Sequence, residues 1–192
     1  MRPESFFTFF FPLIEEISKG RFFKNIIALI FIIIGIILFA SGVFILVKFL
    51  NLTLDFGFIL GIIIISFSLM LTFQIWFYRA NEIYNLTSQK YFLIPIVEKF
   101  IRAIGESIAF LLLSIGIAGL FIFWFSKFSE TIYTFLNFLP SYIIPTNTFL
   151  AGLLFLVFCM VNSVLILGFY YFVAELLIVI VDIENNTRKT QS

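Results

Sequence analysis

Ile26-Ile-Ala-Leu-Ile-Phe-Ile-Ile-Ile-Gly-Ile-Ile-Leu-Phe-Ala-Ser-Gly-Val-Phe-Ile-Leu-Val47 carries no charge and no proline. A helix rises about 1.5 Å per residue, so this stretch crosses a hydrocarbon core of about 30 Å. An open strand is excluded there, because lipid offers no partner for unpaired backbone groups. Further runs of the same kind extend from about Phe56 to Tyr78, from about Ile104 to Phe125, and from near Thr148 to Val181, the last interrupted only by Glu175. A straight helix over that final run would be about 50 Å long, more than a bilayer needs. Its last turns should therefore emerge, with Tyr170 and Tyr171 at the headgroups. The fold class read from these runs is an all-α integral membrane protein with four transmembrane helices.

Composition agrees. The 192 residues are 62% hydrophobic and 12% charged, whereas soluble domains are about half apolar and about a quarter charged. Net charge is +1, so nothing points to nucleic acid. The chain has no histidine and one cysteine, Cys159, which excludes His-based triads, intrachain disulfides and Cys/His zinc sites. No P-loop, dinucleotide-binding glycine pattern or nucleophile elbow is present, and no cofactor is expected. The excess of Phe, Ile, Asn and Lys hints at a bacterial source. Residues Phe6 to Ile14 lack a cleavage site and are followed by Glu15 and Glu16. They read as a retained interfacial helix.

The four runs fall into two copies of one unit. Pro12-Leu-Ile-Glu15, Lys19, Ile27-Ala28 and Ile34-Gly35-Ile36 recur as Pro95-Ile-Val-Glu98, Arg102, Ile108-Ala109 and Ile115-Gly116-Ile117. This predicts a first repeat over 1–83 and a second over 84–192. Each would be an amphipathic interfacial helix followed by two spans, and the copies would run parallel. Basic residues cluster before span one (Arg2, Lys19, Arg21, Lys24) and between spans two and three (Arg79, Lys90, Lys99, Arg102), with Arg188 and Lys189 after span four. By the positive-inside rule both termini face the cytoplasm, in a multi-pass protein of the cell inner (plasma) membrane. Trp76, Tyr78 and Trp124 fall at span ends, where an aromatic belt is expected. The loop over 126–147 is apolar enough to lie on the outer interface.

Glu175-Leu-Leu-Ile-Val-Ile-Val-Asp-Ile-Glu184-Asn185-Asn-Thr-Arg188 resembles the closing segment of a bacterial two-span membrane family known as domain of unknown function 4282. The likeness covers about twenty residues and departs where Val181-Asp182 replaces an aromatic-basic pair. It implies topology, and the family brings no activity with it.

The candidate polar sites are Glu98, Arg102, Glu106, Gln74, Asn162 and Glu175. Glu15/Lys19 and Glu98/Arg102 are spaced for helical ion pairs; they read as a solvated face on an interfacial helix or as a matched pair of cytoplasmic sites at the pseudo-two-fold. Glu106 looks intramembrane, which would make it a functional candidate. The repeat register instead sets it opposite Asn25, at the cytoplasmic boundary, where Glu98, Arg102 and Glu106 form a ladder on one helix. Gln74 and Asn162 interrupt spans and suit interhelical hydrogen bonds or a polar pathway. Glu82 and Glu175 follow spans two and four at similar places, as depth-setting charges or the rim of a vestibule.

Ala28, Gly35 and Gly42 recur in sevens along span one, and Ala109 and Gly116 repeat part of that seam in span three. Gly57 and Gly61 form a GxxxG in span two. Small residues let helix backbones approach, which predicts close packing of the repeats or of two chains. The functional expectation is a non-catalytic membrane protein, an assembly, scaffold or regulatory subunit. Its partners would be membrane lipids and a homo-oligomeric copy or another membrane protein. A small channel or transporter with a pathway between the repeats is the alternative, and a lipid-acting enzyme using Glu98, Arg102 and Glu106 comes third.

Overall fold

A computed structural model describes residues 21–50, 55–86, 93–125 and 148–190. These form α1 (Arg21–Leu50), α2 (Phe56–Tyr84), α3 (Leu93–Phe125) and α4 (Thr148–Thr190). All four are long and apolar enough to cross a membrane. The interfacial segment before span one, Glu15/Lys19 and the outer loop over 126–147 lie outside the described residues.

The helices form a row in chain order. α1 packs on α2, α2 on α3 and, most extensively, α3 on α4; no other pair meets more than marginally. Small residues set the spacing. A Cβ added at Gly35 would stand 3.0 Å from Trp76 Cβ, and one at Gly116 would stand 2.6 Å from Cys159 Cβ. The seam glycines thus join the two helices within each hairpin. The expected contact of one repeat with the other through these seams is not what they make. That junction falls to Gly61 of the GxxxG, which faces Ala118 and Ile122 of α3. Gly105 and Gly119 also press α3 onto Tyr170 and Phe155 of α4.

Polar bonds fasten the hairpins. Asp55 caps α2, its Oδ1 accepting from the Phe58 N–H at 2.9 Å, which satisfies one of the free amides of a helix start. Lys24 Nζ donates to the Leu86 carbonyl at 2.8 Å, tying α1 to the end of α2. Across α3 and α4, Ser163 Oγ donates to the Ala109 carbonyl at 2.7 Å. At the far end Trp124 stacks on Phe149 with centroids 4.6 Å apart, and its Nε1 donates to the Phe149 carbonyl at 3.2 Å.

Two expectations need correction. The amphipathic segment around Pro95 to Arg102 is not a separate interfacial helix, because α3 runs unbroken from Leu93 to Phe125. Pro95 falls in its first turn, where a missing N–H costs no helical bond. Trp76 is no belt residue: it is 3% exposed and wedged between Phe31 of α1 and Phe100 of α3. Tyr78, two residues on, does face outward.

Candidate functional site: a charged knot across three helices

The end of the row where α2 finishes and α3 begins holds three cations and three carboxylates that bind one another. Arg79 of α2 is the hub. Its Nε donates to Glu106 Oε2 at 3.2 Å and a terminal nitrogen grips Glu106 Oε1. Its other terminal nitrogen donates to Glu82 Oε2 at 2.6 Å. Lys99 lies 3.4 Å from Glu82 and 3.6 Å from Glu98. Arg102 Nε sits 2.5 Å from Glu98 Oε1 as an ion pair, although its N–H does not align as a hydrogen bond. α4 joins through Tyr171, whose hydroxyl donates to Glu106 Oε1 at 2.5 Å and whose ring lies under the Arg102 guanidinium at 5.0 Å.

The knot's depth follows from helix geometry. Arg79 is 23 residues from the start of α2, Glu106 is 19 from the end of α3, and Tyr171 is 23 from the start of α4. At 1.5 Å per residue these distances are about 29–35 Å, close to one hydrocarbon thickness. The knot therefore lies about one hydrocarbon thickness from the opposite ends of these helices. Arg79 is 7% and Glu98 4% exposed, so Glu98 does not lie on the solvated face expected for it. Burial on that scale is tolerated only because every charge is paired. Lys99 bridges Glu82 and Glu98 as a compact point charge, whereas the planar Arg79 guanidinium, with five donors in a rigid fork, makes aligned bonds to Glu82 and to both oxygens of Glu106.

Glu98 and Arg102 pair directly, whereas Glu106, one turn on, is held by Arg79 of α2 and is linked to them only through Glu82 and Lys99. By sequence position Arg79 is a loop cation and Tyr171 a headgroup anchor; the structure puts both in the knot. The clue available was the Arg79/Glu82 spacing of three on the helix carrying it. Glu175 is exposed and stands apart. Gln74 lines a cleft of about 370 Å³ between α2 and α3 with Tyr78 and Glu106. Asn162 is elsewhere, on α4, donating to the Phe158 carbonyl of its own helix at 2.8 Å. The two span amides do not converge. Among the described residues no cluster of Cys, Asp and Glu is arranged to hold a metal ion.

The chain matches no family model, no curated protein and no solved structure.

Proposed function

We propose that the chain is a non-catalytic multi-span protein of the bacterial inner membrane, acting as an assembly, scaffold or regulatory subunit through its helix faces. The observation that carries this reading is the charged knot. Its carboxylates and cations are spent on one another, and this suits fastening three helices better than acid–base chemistry. A general acid or base needs a proton it can exchange with a substrate within hydrogen-bond reach. Here Glu106 is held from three directions by Arg79 and Tyr171. The orientation that accompanies the proposal puts the knot and both termini at the cytoplasmic side, with the hairpins as parallel repeats. The likeness of the closing segment to domain of unknown function 4282 supports topology only.

The cleft shared by Gln74, Tyr78 and Glu106 favours a second reading, a small channel or transporter. It is a weaker one, because Asn162 is not part of that cleft. Mild-detergent purification of the tagged protein from its own membranes tests the proposal. The expected result is a stoichiometric protein partner. A chain that purifies alone, and moves a solute across vesicles in a Gln74-dependent way, would replace the proposal with the transport reading.

A further inference from the structure

α4 is 43 residues long, about 64 Å, and Tyr171 lies about one hydrocarbon thickness from its start. Beyond that point six large apolar residues remain exposed, Ile178 and Ile180 among them, and four of the six, Phe172, Leu176, Val179 and Ile183, share one stripe. Outside the hydrocarbon, an exposed apolar stripe of this length signals an interface. These four residues alternate in steps of four and three, a heptad seam. The same register continues back into the membrane. It places Asn162, Phe169, Leu176 and Ile183 at a, and Phe158, Leu165, Phe172 and Val179 at d. The seven apolar members are between 43% and 63% exposed. The face that packs on α3, marked by Cys159, Ser163, Tyr170 and Ala174, lies on the other side of the helix.

Two independent features fall on this seam. Asn162 is its one polar member within the membrane. One amide N–H goes to the Phe158 carbonyl, and among the described residues its side-chain oxygen accepts from nothing. An amide at that depth is costly against lipid and favourable against a second helix. Gly168 flanks the seam at g, and within 4 Å of the position its Cβ would take there is nothing. Gly35, Gly61, Gly105 and Gly116 all press on a neighbouring helix. Gly168 is an open approach point on an otherwise bulky face.

We infer that α4 pairs with α4 of a second copy of this chain, in a parallel dimer with Asn162 facing Asn162. Two copies inserted alike are parallel by necessity, and a two-fold axis along the membrane normal brings each seam position against itself. A lone a-position asparagine is a device that fixes such a register. Glu175 and Asp182 occupy g positions, which in a parallel pair face the e positions of the partner, Ile180 and Thr187; like charges are not opposed. The seven apolar side chains expose on the order of 700 Å² together, taking ~150–250 Å² for a large side chain. That approaches the ~800 Å² per partner of a stable interface. The inference deepens the assembly reading by naming one partner.

The test is cysteine cross-linking of the full chain in membranes, in a Cys159→Ala background. Leu176→Cys and Val179→Cys should give cross-linked dimers, and Ile178→Cys, off the seam, far less. In vesicles, energy transfer between labelled chains should show Asn162→Val weakening association roughly threefold to tenfold. Equal cross-linking at the three positions, or none at any protein-to-lipid ratio, overturns the inference. So does cross-linking only to a different polypeptide, which leaves the assembly reading standing. Protection of Leu176→Cys and Val179→Cys from maleimide in a monomer also overturns it, and would give the seam to another segment of the same chain. A dimer that copurifies with no further protein sustains the inference while removing the wider assembly reading.

Discussion

Replacing Gly116 by alanine puts a methyl carbon 2.6 Å from Cys159 Cβ. Ordinary carbon contacts are about 3.5–4.0 Å, so α3 and α4 must part by about 1 Å or twist. The obstructing atom is a Cβ, fixed to its backbone, so no rotamer change relieves the clash. Overpacking of this kind costs about 1–3 kcal/mol. Alanine regains up to about 1 kcal/mol through helix propensity, so the expected net loss is about 1–2 kcal/mol. Separating the helices would also stretch the Ser163–Ala109 bond at 2.7 Å. Reversible unfolding in mixed micelles measures the loss. Cys159→Gly should rescue part of it, giving a favourable coupling in the double-mutant cycle. Unchanged stability for Gly116→Ala, together with additive behaviour of the two substitutions, would refute the close approach of α3 and α4 at this point.

Arg79→Leu should destabilise by about 3–5 kcal/mol in the same assay, because it leaves Glu106 and Glu82 without their shared cation; Arg79→Lys should recover only part, since an ammonium keeps the charge but not the planar fork that bonds both oxygens of Glu106 and Glu82 together. Ser163→Ala should cost only about 0.6 kcal/mol, the usual size of an interhelical bond in a membrane, and a loss near that of Arg79→Leu would mean the bond does more than join two helices. For topology, cysteines at Ser88 and Asn185 should label only with access from the cytoplasm, and one at Ser129 only from outside; the reverse would overturn the orientation.

The four helices were legible because long uncharged runs admit few alternatives in water or lipid. The break expected between an interfacial helix and span three at Ile104 is absent, since one helix runs through from Leu93, and the reason is physical. Glu98, Lys99 and Arg102 look like the end of a span when each is taken as a charge in need of water. They continue the helix because α2 supplies Glu82 to Lys99, and Arg79 to Glu106. Those pairings depend on the register of α2 against α3, which one sequence does not contain. Gly35 and Gly116 were legible as seam residues, but which helix each faced was not. Trp76 was misplaced because an indole near a span end suits the interface as well as a core, and only Phe31 and Phe100 decide between them.

The central claim is that the carboxylates of the knot hold helices and do no chemistry. Glu106 tests it most directly, by comparing Glu106→Gln with Glu106→Leu in complementation of a deletion strain, with folded protein quantified in the same membranes. A glutamine amide oxygen can still accept from Tyr171 and one Arg79 nitrogen but carries no exchangeable carboxyl proton, and its NH2 loses the second Arg79 bond and the counter-charge; leucine loses every one of these bonds. The account predicts that Glu106→Gln keeps more folded protein than Glu106→Leu, and that in both variants function falls only in step with folded protein. Loss of function in Glu106→Gln as complete as in Glu106→Leu, with normal amounts of folded protein, would contradict it and make Glu106 a proton- or substrate-handling group.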